Sequence, residues 1–183
     1  GFEYLAMISD FGKGDATFQI ISRTESVRIP NRELHLYASL IKKSNFEWVL
    51  EKGTELGVTK FIPIISDRSE KKSLNVERAE KILREASEQS GRAILPTLAS
   101  VTTLEDALAT DIPIFAFDPS GDVFTVEHTH NYSPLGILIG PEGGWSEKEL
   151  FLFKKENVRI HTLGELVLRA ETCLLYTSPS PRD

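Results

Sequence analysis

The order of apolar and polar positions along the chain predicts strands that alternate with helices. From Leu34 onward, short apolar runs are separated by stretches in which apolar residues recur every third or fourth position. The clearest of these stretches begins after Asn75, a good N-cap residue, and ends at Gly91, a common stop. Strands and helices in alternation usually build a mostly parallel sheet covered by helices, so residues 34–173 predict an α/β domain.

Capping and turn residues place the other elements of this domain. A helix is expected to begin at Ser44, because Ser44 and Glu47 have capping-box spacing, and further helices near Thr103 and after Ser146. Pro63 lies inside one apolar run and marks that strand as an edge strand or a broken one. The predicted strands cover residues 34–41, 58–65, 112–117 (ended by a turn at 118–121), 135–139 and 158–163.

Residues 1–29 have a different pattern, which predicts the end of a small β-domain. One strand precedes a glycine-containing turn at residues 11–15, a second follows at 16–21, and a third is expected at 27–29. Two or three strands alone are marginally stable in water, so we expect the rest of this β-domain to precede the chain. Residues 30–33 are the predicted boundary.

The pattern stops at the C-terminal end of the chain. Residues 174–183 lack periodicity and include the sequence Ser-Pro-Ser-Pro. We expect this stretch to lie outside the fold, either as a non-native addition to the chain or as a disordered tail.

Charge is distributed unevenly, which changes what the composition implies about partners. The net charge of −6 alone argues against a nucleic-acid partner. Residues 60–92, however, carry 8 Lys and Arg against 6 Asp and Glu, whereas residues 93–183 carry 6 against 13. The middle of the chain is therefore locally basic and offers a place for a polyanion, although such a face is usually just solvated.

Composition also bears on compartment, membrane and metal. No apolar run reaches membrane-spanning length, and a single cysteine, Cys173, cannot form an internal disulfide. We therefore expect a cytoplasmic protein without a membrane partner. The four histidines have no metal-ligand spacing, so no metal is expected.

Two glycine-bearing loops predict a small-molecule site. The apolar run that ends at Ile139 is followed by residues 140–144, which contain three glycines and lack both the Walker A and the dinucleotide-binding patterns. A second strand ends at Leu163-Gly164, followed by the apolar run 166–168. If the two loops meet beyond the carboxyl ends of their strands, they form a pocket suited to an adenosine-like ligand. Alternatively, the glycines only satisfy turn geometry.

Four charged residues are candidates for chemistry, each with a structural alternative. Arg169 and Glu171 lie in an apolar context, where a charge is either paired or functional. Arg92 follows a helix end and is a candidate for binding a carboxylate or phosphate, or for pairing with a helix dipole. Glu142 lies inside the first glycine loop, where it caps a helix or contacts a ligand.

Four blocks in this order resemble the RsmE family of ribosomal RNA methyltransferases. The blocks are residues 55–58 (Glu-Leu-Gly-Val), 88–92 (Glu-Gln-Ser-Gly-Arg), 139–144 (Ile-Gly-Pro-Glu-Gly-Gly), and Leu163-Gly164 with 168–172 (Leu-Arg-Ala-Glu-Thr). The resemblance covers residues 34–173. It departs from the family pattern at Glu165, usually proline, and at Cys173, usually alanine.

The resemblance implies methylation of N3 of a uridine in small-subunit (16S) ribosomal RNA, with S-adenosylmethionine as cofactor. It also implies a SPOUT-class α/β domain with a C-terminal trefoil knot, a homodimer, and an N-terminal PUA-like β-barrel that binds RNA, of which residues 1–29 would be the end. In the family, a helix that completes the knot and packs at the dimer interface stands where this chain has residues 174–183. The implied cofactor contacts are Leu138, Ile139, Gly140, Pro141, Glu142, Gly143, Gly144, Leu163, Gly164, Leu166, Val167 and Leu168, with Phe117 added because it ends the neighbouring strand.

For the reaction, Arg169 is the first candidate to stabilise charge on the uracil oxygens, and Arg92, supplied by the partner subunit, is the second. Glu142 or Glu171 is expected to accept the N3 proton, although a structural role fits either equally well. Two other functions stay open. One is a non-catalytic ribosome-binding module, and the other is a SPOUT enzyme that methylates a ribose oxygen.

Overall fold

An antiparallel hairpin opens the chain. The computed structural model describes residues 2–129, 131–166 and 168–177. Strand β1 (Phe2–Phe11) pairs with β2 (Ala16–Glu25) across the predicted turn. The side chains of both strands are almost all exposed, so the hairpin adds nothing to the cores of the following domain.

The third strand predicted at residues 27–29 is wrong. Val27 is 91% exposed, and the backbone turns here toward the main domain, where Arg28 O accepts a hydrogen bond from Ala93 N at 3.1 Å. Arg28 N donates to Ser26 Oγ at 3.1 Å. These bonds occupy backbone groups of Arg28 that a third strand would need, so the hairpin has no third partner among the described residues.

A fully parallel sheet forms the centre of the main domain. Its strand order is β5-β4-β3-β8-β7-β9, and β6 also pairs with β4. This confirms the predicted α/β class with a mostly parallel sheet. The strands are β3 (Leu34–Ser39), β4 (Lys60–Ile65), β5 (Thr97–Leu98), β6 (Thr102–Thr103), β7 (Ile114–Val123), β8 (Leu135–Ile139) and β9 (Arg159–Thr162).

Pro63 explains why two short strands, β5 and β6, pair with the outer side of β4 instead of one continuous strand. The inner neighbour of β4 is β3, which pairs with residues 60–64 without a break. On the outer side, β5 pairs with Lys60 and Phe61 and β6 pairs with Ile64 and Ile65. Pro63 lies between these two short pairings. Because proline has no N–H to donate, the ladder of hydrogen bonds on the outer side of β4 is interrupted at this residue.

Within the described residues five α-helices cover the sheet, and most of their predicted caps are confirmed. Asn75 accepts a hydrogen bond from Arg78 N, Gly91 ends the same helix with φ +69°, and Ser146 forms a complete capping box with Glu149. The helices are α1 (Lys43–Glu55), α2 (Val76–Ser90), α3 (Leu104–Leu108), α4 (Glu147–Lys155) and α5 (Ala170–Thr177), and a 3₁₀ turn covers Val126–Thr129.

The cap predicted at Ser44 is wrong. Helix α1 begins one residue earlier, at Lys43, with Lys42 at the N-cap position and no side-chain cap. Ser44 therefore lies inside the first turn, where its hydroxyl donates to Asn45 Oδ1 at 3.2 Å.

The turn predicted at residues 118–121 does not end β7, which continues to Val123. Asp122 and Val123 pair with β9 after a register shift that follows Phe117. Asp118 Oδ1 accepts hydrogen bonds from Ser120 N and Ser120 Oγ, so the turn chemistry is present inside a bulged strand.

Helix α5 extends past the predicted start of the tail at Leu174. Leu174 is 1% exposed and belongs to the same apolar cluster as residues of α1 and β8. The structure therefore includes residues 174–177 in the fold, and residues 178–183 lie outside the described residues.

Two apolar layers enclose the sheet. Helices α1, α2 and α5 pack on one face, around Leu36, Phe46 and Leu83, and helices α3 and α4 pack on the other, around Ile64, Leu104 and Phe153. Because all strands of a parallel sheet run in the same direction, the bulge of β7 after Phe117 and the loops after β8 and β9 lie at the same edge.

Candidate active site

A cavity of about 350 Å³ lies at the bulge that follows Phe117 in β7 and beyond the carboxyl ends of β8 and β9. Both predicted glycine-bearing loops line it, one after β8 and one after β9, and the first turn of α5 closes it. The predicted cofactor residues that line it are Phe117, Ile139, Gly140, Pro141, Glu142, Gly143, Gly144, Leu163, Leu166 and Leu168.

Three predicted cofactor residues are not among the lining. Leu138 is fully buried in the apolar layer on the opposite face of the sheet, because successive strand residues point to opposite faces. Gly164 lies next to the lining residue Leu163, with φ +131°, a conformation that favours glycine. Val167 lies outside the described residues.

Trp145 holds the glycine loop against the sheet, a role that sequence reasoning missed. Its Nε1 donates a hydrogen bond to Phe117 O at 3.0 Å, and its side chain is buried. A Cβ on Gly140 would lie 2.8 Å from Cε2 of this ring, so only glycine fits there. Gly144 is needed for a different reason, since its φ is +69° in the turn closed by Gly144 N donating to Pro141 O.

Residues 66–69, which follow β4, brace the outer side of the glycine loop. Arg68 Nη1 donates to Gly143 O at 2.6 Å, and Ser146 Oγ donates to Asp67 Oδ2 at 2.5 Å. The buried carboxylate of Glu149 accepts from Asp67 N at 2.8 Å and from Ser146 N at 2.7 Å. Three of these hydrogen bonds thus join two segments that are far apart in the sequence, and the fourth, between Ser146 N and Glu149, is local to the start of α4.

Free backbone donors face solvent in the glycine loop. The N–H groups of Glu142 and Gly143 make no hydrogen bond to any residue that the structure describes. Both residues line the cavity, so these donors are available to a bound ligand.

Charged side chains lie around the mouth of the cavity. Arg169 lines it at the start of α5, and its guanidinium has no ion pair or hydrogen bond within the described part of the chain. Glu142 Oε1 accepts from Asn45 Nδ2 at 3.5 Å. Asp118, missed by sequence reasoning because it was assigned to a turn, also lines the cavity. The side chain of Glu171 lies outside the described residues, so its predicted role stays a prediction.

Arg92 does not line this cavity. Its Nη1 donates to Thr54 O at 2.9 Å, near the C-terminus of α1, and its Nε donates to Ile94 O at 2.8 Å. Burial lowers the pKa of its guanidinium. Within one chain Arg92 is therefore a helix C-terminus partner, as its structural alternative predicted, although the helix is α1 and not α2.

An aromatic and histidine cluster lies behind the loop after β9. His161 stacks on Phe115 with ring centroids 5.5 Å apart and on His128 at 4.9 Å. Burial, with smaller contributions from His128 and Arg159, lowers the pKa of His161. No group of three potential metal ligands occurs among the described residues, and none of the described helices is long and apolar enough to cross a membrane.

The parallel α/β fold with a cavity at the ends of its strands is shared with RNA methyltransferases. Residues 28–179 match the family model of the RNA methyltransferase domain. The chain is 30% identical to the ribosomal RNA small subunit methyltransferase E of Rickettsia conorii, covering 94% of this chain and 73% of the relative. The corresponding enzyme of Bacillus subtilis is also 30% identical, with 96% and 75% covered.

A solved structure has the same architecture. It is a ribosomal RNA small subunit methyltransferase E from Neisseria gonorrhoeae bound to S-adenosyl methionine, and it superposes with a TM-score of 0.88 at 26% identity, covering 96% of this chain and 76% of that one. The chain belongs to the ribosomal RNA small subunit methyltransferase E (RsmE) family, which confirms the resemblance found in its sequence.

Proposed function

We propose that this chain transfers a methyl group from S-adenosylmethionine to N3 of a uridine in 16S ribosomal RNA. Family membership supports methyl transfer to small-subunit ribosomal RNA. The observation that carries the proposal is the cavity lined by both glycine-bearing loops and by Arg169, whose guanidinium has no ion pair among the described residues.

The residues around the cavity fit S-adenosylmethionine. The cavity volume of about 350 Å³ lies within the range of small-molecule sites. Phe117, Ile139 and Leu168 provide apolar surface for an adenine ring. The free N–H groups of Glu142 and Gly143 suit ring nitrogens or hydroxyl oxygens. The carboxylate of Asp118 suits a hydroxyl or ammonium group.

The chain's own residues have to orient the uracil and manage its proton. The bound cofactor supplies a methyl group on a positively charged sulfur. Holding the ring in line with that group lowers the barrier by up to roughly 7–11 kcal/mol in ideal cases. In this proposal Arg169, which lines the cavity, stabilises the negative charge that spreads onto the uracil oxygens as the N3 proton leaves.

We propose that a carboxylate accepts the N3 proton. Glu142 lines the cavity, and the only hydrogen bond that its side chain makes to a described residue is a long one from Asn45, so its carboxylate is free to accept a proton. Glu171, two residues after Arg169, is the other acceptor in this proposal.

We extend the proposal to the assembly and compartment that the family resemblance implies. The C-terminal part of the domain forms a trefoil knot, and two chains form a homodimer in the cytoplasm. Arg92 then serves the partner's site or remains a helix-terminus partner. The β1–β2 hairpin is the end of a PUA-like β-barrel that contacts RNA.

Two measurements test this proposal. Isothermal titration with S-adenosylmethionine is expected to give saturable binding, and incubation with 16S ribosomal RNA is expected to give N3-methyluridine by nucleoside mass spectrometry. RNA binding without cofactor binding would support the non-catalytic module instead. A 2′-O-methylated nucleoside would indicate the ribose-directed enzyme.

Arg169→Ala tests the role of the arginine. Removing a group that stabilises developing charge costs roughly 10²–10³ in turnover. Cofactor affinity is expected to stay near that of the original chain, as it should in Lys154→Ala, a control on the exposed face of α4. Unchanged turnover in Arg169→Ala would remove this residue from the mechanism.

A further inference from the structure

A second cavity, of about 130 Å³, opens between α1 and the segment that leads into α2. Its floor is apolar and includes Ile41, Phe46 and Leu74. Three cations, Lys43, Lys71 and Arg78, stand around it. An apolar cavity of roughly 150 Å³ holds benzene, so the volume suits a single six-membered ring.

The charge around this cavity is positive although the chain as a whole is negative. Glu47 is the only carboxylate among the described residues that line this cavity, and it lies 3.7 Å from Lys43 Nζ and 3.2 Å from Arg78 Nη2. Lys71 is exposed and makes no ion pair with any described residue. The three cations and one carboxylate around the cavity give it a net charge of +2, whereas the whole chain has a net charge of −6.

The same loop contacts the candidate active site and the second cavity. Arg68 binds Gly143 O in the glycine loop, and three residues later Lys71 N donates to Leu40 O at the edge of the second cavity. Asn45, in the first turn of α1, donates to Glu142 of the glycine loop. The second cavity is therefore adjacent to the site where the proposed function places the target uridine.

We infer that the second cavity binds a nucleotide of the substrate RNA next to the target uridine, with the base in the apolar slot and its phosphate against Lys71. This inference rests on the proposed function. The apolar floor accepts the flat ring of a pyrimidine, and the surplus cations attract the backbone phosphates. The acidic charge is concentrated in residues 93–183, so the locally basic surface around the second cavity is favoured for RNA docking.

Two variants separate the phosphate contact from the base slot. Lys71→Glu is expected to weaken binding of a fluorescein-labelled, uridine-containing single-stranded RNA by roughly threefold or more, and to lower the salt slope of binding by about 0.7. Ser73→Trp fills the rim of the slot without changing charge and is expected to weaken the same binding. Lys154→Glu, on exposed α4, makes the same charge change elsewhere and is expected to bind RNA as the original chain does.

The outcomes distinguish this inference from the proposed function. Titration of all three variants with S-adenosylmethionine is expected to give the original affinity, and failure of the original chain to bind the cofactor would count against the proposed function alone. Lys71→Glu and Lys154→Glu binding RNA equally would overturn the inference. Undiminished RNA binding by Ser73→Trp would overturn the base slot. Competition by polyglutamate as strong as that by RNA would show a general polyanion surface and overturn the assignment to RNA.

Discussion

At the scale of single residues, the glycine loop depends on atoms that leave no room for a side chain. Gly140 and Gly143 both line the candidate active site, but a Cβ on each would meet different neighbours. At Gly140 it would meet the buried, hydrogen-bonded ring of Trp145, which cannot move away. At Gly143 it would lie 3.3 Å from the side chain of Arg68, which is flexible and can move away.

The two glycines therefore form a matched pair for mutation. Gly140→Ala is expected to lower the free energy of unfolding by about 1–3 kcal/mol, the usual cost of overpacking. Gly143→Ala is expected to change it by no more than about 0.5 kcal/mol. Urea unfolding followed by circular dichroism measures both, and equal losses would mean that Trp145 does not constrain the loop.

The sequence predicts the residues that line the cavity better than the residues that hold them in position. The spacing of the two glycine-bearing loops correctly predicts that Gly140 and Leu163 line one cavity. It does not predict Trp145 or Arg68 as supports, because their contacts depend on pairs far apart in the chain: Trp145 with Phe117, and Arg68 with Gly143. Local patterns carry no signal for such contacts.

At the scale of elements, the start of α4 is tied to the end of β4 by one buried carboxylate. Glu149 completes the capping box with Ser146 and also accepts from Asp67 N. Local pattern predicts the capping box, since its residues are three apart, whereas the bond to Asp67 crosses between loops.

Glu149→Ala is expected to destabilise the chain more than loss of an ordinary cap would. Its removal leaves the N–H groups of Ser146 and Asp67 without acceptors, at a cost of about 1–3 kcal/mol each where they are buried. Glu147→Ala, an exposed position in the same helical turn, is the control and is expected to cost little. Thermal unfolding compares the two, and similar melting temperatures would contradict the bracing role.

His161, which stacks between Phe115 and His128, is expected to make the free energy of unfolding depend on pH. Burial lowers the pKa of His161 below its usual value of 6.5, so the native state binds fewer protons than the unfolded state. The contribution of neutral His161 to folding stability is complete above the pKa that this histidine has in the unfolded chain. It is lost as the pH falls below that pKa, because the unfolded state then binds a proton that the native state does not. His128 and Arg159 add like charge, while Asp122 partly offsets it.

His161→Phe keeps an aromatic ring against Phe115 and removes the titrating group. The original chain is expected to lose stability between about pH 7.5 and about pH 5.5, the range in which histidine titrates, and the variant is expected to lose less. Urea unfolding at both pH values gives the comparison. An equal loss in both proteins would place the pH dependence elsewhere.

At the scale of the whole molecule, the alternation of strands and helices predicts the parallel sheet because each strand needs both faces covered. The failures of prediction occur where distant parts meet. Val27 leaves the hairpin because Ala93 binds Arg28 O, and β7 continues past Phe117 because β9 offers it a partner. Leu174 is helical because the core accepts its side chain. None of these partners is visible in the local sequence.

The hairpin and the main domain are expected to be separable. The strand residues of the hairpin belong to neither apolar layer, whereas Arg28 O accepts a hydrogen bond from Ala93 N of the main domain. Ser26 Oγ donates to Glu3 Oε1 in the hairpin, so a cut before Ser26 removes one hydrogen bond of the residue that becomes the new chain end. A chain that begins at Ser26 is therefore expected to unfold cooperatively, with a free energy of unfolding within about 0.5 kcal/mol of the original. Its S-adenosylmethionine affinity is expected to be unchanged, because no hairpin residue lines the cavity.

RNA affinity is where this truncation is expected to have an effect. The hairpin carries exposed aromatic residues, with Phe11 at 75%, and a cation stacked on a ring, since the Arg23 guanidinium lies 3.5 Å from the Phe2 ring centroid. Both features suit contact with RNA bases. Anisotropy with the labelled RNA is expected to show weaker binding by the truncated chain. Unchanged RNA binding together with intact cofactor binding would mean that the main domain alone, including the cavity beside Lys71, carries RNA recognition.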